Sequence, residues 1–400
     1  MSSFPRPAML DVTSLRRVRP WGGDLVDIAI EGGRITAITP AAADPIGIRE
    51  FDGRGLLALP GLVNAHAHVD KSWWGLPWQP YGGEGSTEGR IRHEREQREA
   101  LGIPSVERSA FVLRELVRQG TTAIRTHVDV DDGVGLRGIE AVEEAMAAYG
   151  GALDVQIVAF PQDGVLRHPG VLELLREAAG RDSVTGIGGL DPASIDRDPV
   201  GQIDALTALA AETGVDLDIH LHDPAELGAF QIELLIERTQ RLGLGGRVNI
   251  AHGFAVAQLD PARRRDLLAA MGAAGVSMTT VAPLRLAQLP LAELDAAGVR
   301  LGLGTDGIRD LWSPFGTGDT LGIAWQYARA GGLVHDEELL RVVELATRAG
   351  AWAVGREVHD LVEGARADIV LVDAENPMDA LVRQPERALV IAGGRALHVA

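Results

Sequence analysis

The sequence predicts an α/β protein: a (β/α)8 TIM barrel with a small composite β-sandwich domain formed by the N- and C-terminal segments. Three observations predict it. Eight short apolar runs alternate with Ala-, Leu- and Arg-rich stretches of helical length, the pattern of parallel β/α architecture. Both chain ends carry a strand, Gly-Gly-Arg, strand pattern that reads as a hairpin. Histidines and an aspartate cluster just after several of the apolar runs, and barrels build their sites at that end of their strands.

In chain order, residues 24–39 (DLVDIAIEGGRITAIT) form the first hairpin. The barrel strands follow at 57–64, 122–128, 154–160, 185–189, 217–221, 248–251, 276–281 and 300–304. Helices are expected between them, for example over 105–119, 227–241 and 260–274, and the Trp- and Gly-rich stretch 72–89 reads as a long loop over the barrel mouth. A strand at 367–373 (ADIVLVD) and a hairpin at 387–399 (RALVIAGGRALHV) complete the chain. These divide it into a composite β domain, 1–58 with 359–400, and a barrel domain, 59–358. An open doubly wound sheet is the alternative, but no GxGxxG loop follows the first strand.

Composition narrows the function. A net charge of −18 makes nucleic acid and anionic membranes poor partners and leaves a small-molecule substrate. Cysteine is absent, so any metal must be held by imidazole and carboxylate. No stretch is apolar enough for a membrane span, and MSSFPRPAML lacks the apolar core of a signal peptide. A cytoplasmic enzyme is the expectation, with homo-oligomerisation left open.

The chemistry sits at strand ends. His66 and His68 follow the first strand two residues apart, so alternation points them to one side. His220 lies in the fifth strand with His222 and Asp223 just beyond, His252 ends the sixth, and Asp306 follows the eighth. Imidazoles with one carboxylate suit Zn2+ or Fe2+ with a position open to water.

These segments resemble the amidohydrolase superfamily. The resemblance is carried by PGLVNAHAHVDK (60–71), the His220 and His252 strands, and LGLGTD (301–306). Within it, IRTHVDVDD (124–132), LDVQIVAFPQDG (153–164), IHLHD (219–223) and GTDGIRDLWSPFGTGD (304–319) are most similar to cytosine deaminase and its triazine-hydrolase relatives. The resemblance implies one divalent ion, Zn2+ or Fe2+, held by His66, His68, His220 and Asp306. The bridging lysine of two-metal relatives has no counterpart near the fourth strand. Lys71, the sole lysine, is expected to anchor a loop or face substrate.

The resemblance also implies roles. Asp306 would take a proton from the metal's water, His252 would steady the tetrahedral intermediate, and Asp223 would shuttle a proton where relatives carry Glu. His222 would assist, Gln162 would bond the substrate's amide edge, and Trp312 would pack over its ring. Gly307 departs from cytosine deaminases, which carry Asp there. The implied reaction is deamination of a small N-heterocycle: a cytosine-like pyrimidine, a pterin or a triazine. The alternative is cleavage of a cyclic amide or an N-alkyl or N-acyl substituent at the same site, and a barrel that binds without catalysis is the third reading. His127 ends the second strand and either supports the metal ligands from behind or simply packs, the latter being preferred. His93, His168, His335, His359 and His398 read as surface or cap residues. Trp73, Trp74 and Trp78 either line the pocket or pack the loop.

Overall fold

In the computed structural model, which describes residues 7, 9–83 and 85–400, the expected first barrel strand is two strands that part at Gly61. The N-terminal residues 1–6 and 8, read above for a signal sequence, lie outside the described residues. Before the break run β1 (Leu10–Asp11), β2 (Ser14–Pro20), β3 (Val26–Glu31), β4 (Arg34–Pro40), β5 (Glu50–Asp52) and β6 (Leu57–Pro60). After it come β7 (Leu62–His68), β8 (Thr121–Asp129), β9 (Asp154–Phe160), β10 (Val184–Leu190), β11 (Asp216–Leu221), β12 (Val248–His252), β13 (Val276–Thr280), β14 (Leu301–Leu303) and β15 (Asp306–Gly307). The chain closes with β16 (Ile369–Val372), β17 (Arg387–Ala392) and β18 (Arg395–Val399). Gly61 is where it is for steric reasons: a Cβ there would lie 2.1 Å from the Thr122 hydroxyl. That close approach lets the chain cross from one sheet to the other.

The strands before the break join those at the C-terminus in one sheet, ordered β1-β18-β17-β16-β6-β2-β3-β4, with β5 on β2. β6 pairs antiparallel with β16 across Leu57–Pro60, so residues 59 and 60 extend this sheet past the expected boundary at 58. Its apolar residues, among them Leu15, Ile28, Ile35, Ile369, Leu371 and Ile391, form a core of their own.

Strands β7 to β14 are parallel, each bonded to the next. Every residue of β7 and β8 is buried, as expected of parallel strands covered on both faces. Helices connect them, and some start where short polar side chains offer caps. Ser105 accepts from Arg108 N ahead of Val106–Arg118, and Asp260 accepts from two backbone amides ahead of Pro261–Ala274. Of the stretch 72–89, residues 72–83 are irregular, and a helix that the sequence reading did not anticipate, Thr87–Leu101, follows. No helix among the described residues is long and apolar enough to cross a membrane.

After β14 the chain turns back to the first strand. β15 pairs parallel with β7, Asp306 opposite Ala67. A Cβ at Gly304 would lie 2.4 Å from His66 Cβ and 2.5 Å from its carbonyl oxygen, so only glycine fits. The Asn64 amide locks this seam: its oxygen accepts from Thr305 N (3.1 Å) and its nitrogen donates to Thr305 Oγ1 (2.8 Å).

A buried polar knot ties the two sheets together. Asp368 accepts from Arg356, from Arg366 Nε (3.1 Å) and from Gly393 N (2.7 Å), while Arg356 Nε also reaches Asp154 on β9 (3.0 Å). His359, expected at the surface, is buried here. Its Nε2 donates to Gly61 O (2.7 Å) and its Nδ1 accepts from Arg356 (3.0 Å), so the neutral ring satisfies the carbonyl at the crossover. Burial holds its pKa below the usual imidazole value, against the pull of Asp368.

Two outcomes follow for stability. Asp368→Ala removes a buried anion from two partly buried arginines and is expected to destabilise by about 3 kcal/mol in urea unfolding; a loss under about 0.5 kcal/mol would contradict this. Below pH ~6.5 the unfolded chain binds a proton at position 359 that the folded chain refuses, so folding weakens as pH falls. His359→Gln should therefore lose less stability than the parent chain between pH 7.5 and 5.5, and equal losses would refute the assignment.

Candidate metal centre

β7 presents His66 and His68 on one side, and the other imidazoles arrive from other strands of the same sheet. His220 comes from β11 and His127 from β8. His252 ends β12 opposite Leu221, and Asp306 opens β15. Three residues at these strand ends have left-handed backbones: His252 (φ 69°), Asp306 (φ 60°) and Asp191 (φ 34°). Non-glycine residues adopt this conformation at a cost, and such strain concentrates where a side chain must be re-aimed.

The ligand atoms converge. His68 Nε2 lies 3.3 Å from His220 Nε2. Asp306 Oδ1 lies 3.6 Å from His66 Nε2 and 3.4 Å from His68 Nε2. His66, His68, His127 and His220 can bring ligand atoms within 4.8 Å of one another, as can His66, His252 and Asp306. Both ring nitrogens of His66, and Nδ1 of His68 and of His220, are buried without a hydrogen-bond partner. Burial holds His68, His220 and His252 well below the usual imidazole range, so these rings offer lone pairs. Burial would raise the Asp306 carboxyl, but the imidazoles of His66, His252 and His68 hold it well below its usual range. Clustered buried imidazoles beside an ionised carboxylate form a donor set that fits a divalent cation.

The other expected residues lie around this cluster. His252 is buried, with its ring 5.0 Å from that of His66 and 4.2 Å from that of His222. His222 is partly exposed and anchored to Asp191, Nδ1 to Oδ2 at 3.0 Å; burial opposes its charge, but Asp191 raises its pKa. Asp223 has both oxygens committed, Oδ1 to Ser194 Oγ and Oδ2 to Gln231 Nε2 at 2.9 Å.

Lys71 and Gln162 meet in a buried polar group. Lys71 Nζ donates to Asp129 Oδ1 (2.8 Å) and Gln162 Oε1 (2.6 Å). Gln162 Nε2 donates to Glu94 Oε1 and Asp129 Oδ2, both at 3.2 Å, and Trp312 Nε1 donates to Glu94 Oε2. Burial would strip Lys71 of its proton, but Asp129, Glu94 and Asp70 keep it an ammonium ion. Burial and the neighbouring Asp129 push Asp70 up to about 7, and burial drives Asp129 well above its usual range.

Trp73 packs the mouth loop, with its indole donating to Asp310 O (2.9 Å), while Trp78 is exposed. The space at Gly307 is filled from further along the chain: an ideal Cβ there would lie 1.7 Å from Asp310 Oδ2. Asp310 is buried, and its Oδ1 accepts from Trp312 N and Ser313 N, each at 2.8 Å.

His127 is fully buried against the ligand rings, 4.3 Å from His66 and 4.6 Å from His220 between centroids. Outside the cluster, Asp132, Asp163 and His168 could also group around a cation, but Arg95 already bridges the two carboxylates. Asp163 and His168 border a cavity of about 520 Å3 lined also by Ile91, Arg92, Arg95 and Arg167, and by none of the four clustered imidazoles.

Glu94, Asp129, Asp191, Asp218 and Asp310 were not singled out from sequence. Asp129 and Asp218 had a signal: THVD and DLDIH repeat polar residues at alternate positions of a buried strand. Glu94 had none, since the helix around it is rich in Glu and Arg throughout.

Comparison with known proteins gives consistent matches. The model of the Amidohydrolase family matches residues 108–398. The chain is 31% identical to N-isopropylammelide isopropyl amidohydrolase of Pseudomonas sp. (strain ADP), over 93% of each protein. Among solved structures, N-isopropylammelide isopropylaminohydrolase from Burkholderia multivorans superposes with a TM-score of 0.89 and 39% identity, over 97% of this chain and 98% of that one. The 5-methylcytosine deaminase from Klebsiella pneumoniae liganded with 5-fluorocytosine superposes with a TM-score of 0.83 and 26% identity, over 97% of both.

The geometry predicts that metal content depends on the converging side chains. His220→Ala and Asp306→Ala should each purify with far less divalent metal than the parent chain, measured by plasma mass spectrometry, while circular dichroism stays unchanged. Equal metal in folded variants would show that the ion sits elsewhere.

Proposed function

The chain belongs to the amidohydrolase family, and on that premise we propose that it hydrolyses the bond between a ring carbon and an exocyclic amino or alkylamino group of a small N-heterocycle, using a single divalent ion. It is a hydrolase acting on carbon–nitrogen bonds other than peptide bonds. The observation that carries the finer reading is the meeting of imidazoles from β7 and β11, with His68 Nε2 3.3 Å from His220 Nε2 and the Asp306 carboxylate 3.4 Å from His68 Nε2. The relatives named for N-isopropylammelide favour an alkylamino substituent on a triazine, and 5-methylcytosine deaminase favours an aminopyrimidine. One reaction covers both: water replaces the amine on the ring. A closed barrel, its domain beginning after Pro60 and running to about residue 358, is the architecture this reading assumes.

His66, His68, His220 and Asp306 would hold the ion. When bound, a cation such as Zn2+ or Fe2+ supplies Lewis-acid activation of water. A single ion suits this chain, because Lys71 is already held by Asp129 and Gln162 and so is no bridging ligand. In this reading Asp306 accepts the proton of the attacking water, and the neutral His252 ring steadies negative charge developing at the oxygen. The departing amine must be protonated. Asp223, expected for this step, is held by Ser194 and Gln231, so we assign the role to His222, which Asp191 orients and whose pKa it raises. Trp312 would cover the ring.

Recognition of the far edge changes with the geometry. Both hydrogens of the Gln162 amide are used by Glu94 and Asp129. One lone pair of Gln162 Oε1 and one Lys71 N–H remain for a ligand. Asp310 would add an acceptor beside the ion, in the notch that Gly307 leaves.

A panel of alkylamino-triazines, aminopyrimidines and pterins, assayed for released amine and ammonia on metal-loaded protein, tests the proposal. Turnover of at least one is expected, none with Asp306→Ala, and a loss of about 10²–10⁴-fold in kcat with His222→Ala. No released amine across the panel, with formation of a new carboxylate from cyclic amides, would overturn it. Asp310→Asn should raise KM about 10–100-fold with a smaller change in kcat. An unchanged KM would remove Asp310 from the substrate pocket.

A further inference from the structure

Below the candidate metal centre, the interior positions are charged where a parallel barrel ordinarily places Val, Ile or Leu. Arg125 and His127 alternate on β8, while Asp216, Asp218 and His220 alternate on β11. Arg125 donates to Asp216 Oδ2 (2.6 Å) and lies 3.6 Å from Asp218 Oδ2. Asp218 Oδ1 accepts from Asn249 Nδ2 (2.9 Å) and faces His127 Nε2 at 3.4 Å. Asn249 is held in turn by Thr279 and Ser277. Acid, guanidinium, acid and imidazole thus succeed one another, and the last ring packs against His66 and His220.

This arrangement is expensive as mere filling. Asp218 and His127 are fully buried, and Asp218 Oδ2 and both His127 nitrogens lack a full hydrogen bond. Apolar residues of similar volume at such positions are often neutral or stabilising. What they would not provide is a fixed anion behind the ligand rings, or a ring held in one orientation against two of them.

We propose that Asp218 and His127 are positioning residues for the metal centre: Asp218 fixes the His127 ring, which holds the His66 and His220 rings in their facing arrangement. The Asp218 charge, two residues from His220, also favours a cation above it. The inference rests on the metal reading given above, and partners of this kind commonly alter metal affinity 10–100-fold.

The test needs no substrate. Asp218→Asn keeps the shape and an acceptor for Asn249, and His127→Phe keeps a flat ring. Metal-free and Co2+-loaded forms of each are compared with the parent for thermal unfolding, Co2+ dissociation constant and the visible Co2+ spectrum. The expected result is a 10–100-fold weaker Co2+ affinity and a shifted spectrum, with metal-free stability unchanged or higher. Parent-like affinity and spectrum in folded variants would overturn the proposal. So would variants that fail to fold without metal, because the pair would then serve the fold. If the parent itself binds no Co2+, the metal reading fails instead.

Discussion

Asp306 meets the first-strand imidazoles because the chain at Gly304 lies directly on the backbone of His66. No side chain fits between them, and the Asn64–Thr305 clasp holds the two segments in register. A displacement of one residue would turn the carboxylate away from His66 and His68, since strand neighbours alternate in direction. The left-handed backbone of Asp306 completes the aim. The rest of the centre is assembled around this seam, with His220 and His252 arriving from strands that pair with each other.

The proposed substrate side is built differently. The candidate metal ligands lie at strand ends, whereas the proposed recognition group draws Glu94 from a helix in the mouth stretch and Asp310 from the turn after β15. Loops vary more readily than strands, so in this proposal the hydrolytic step and the choice of ring are carried by separable parts of the chain. Gly307 illustrates this: the carboxylate expected at that position is absent, and one from three residues later occupies the space.

Much of the fold, and the grouping of imidazoles at strand ends, was legible because both depend on period. Strand alternation alone pairs His66 with His68, and the strand and helix repeat gives the order of elements. The remainder depends on pairs far apart in sequence. The split at Gly61 needs Thr122, the burial of His359 needs the Gly61 carbonyl and Arg356, and the commitment of Asp223 needs Ser194 and Gln231. The alternation in DLDIH was readable, yet a charged interior runs against the apolar filling that barrels ordinarily show.

The chain's only lysine is sealed beneath the mouth, gripped by an acid and an amide, while every other basic side chain is arginine or histidine. A protease that cuts only after lysine therefore has one internal target, and that target is hidden while the mouth segment is seated. Scission between residues 71 and 72 becomes a clock for how often that segment lifts away, readable on an unmodified chain.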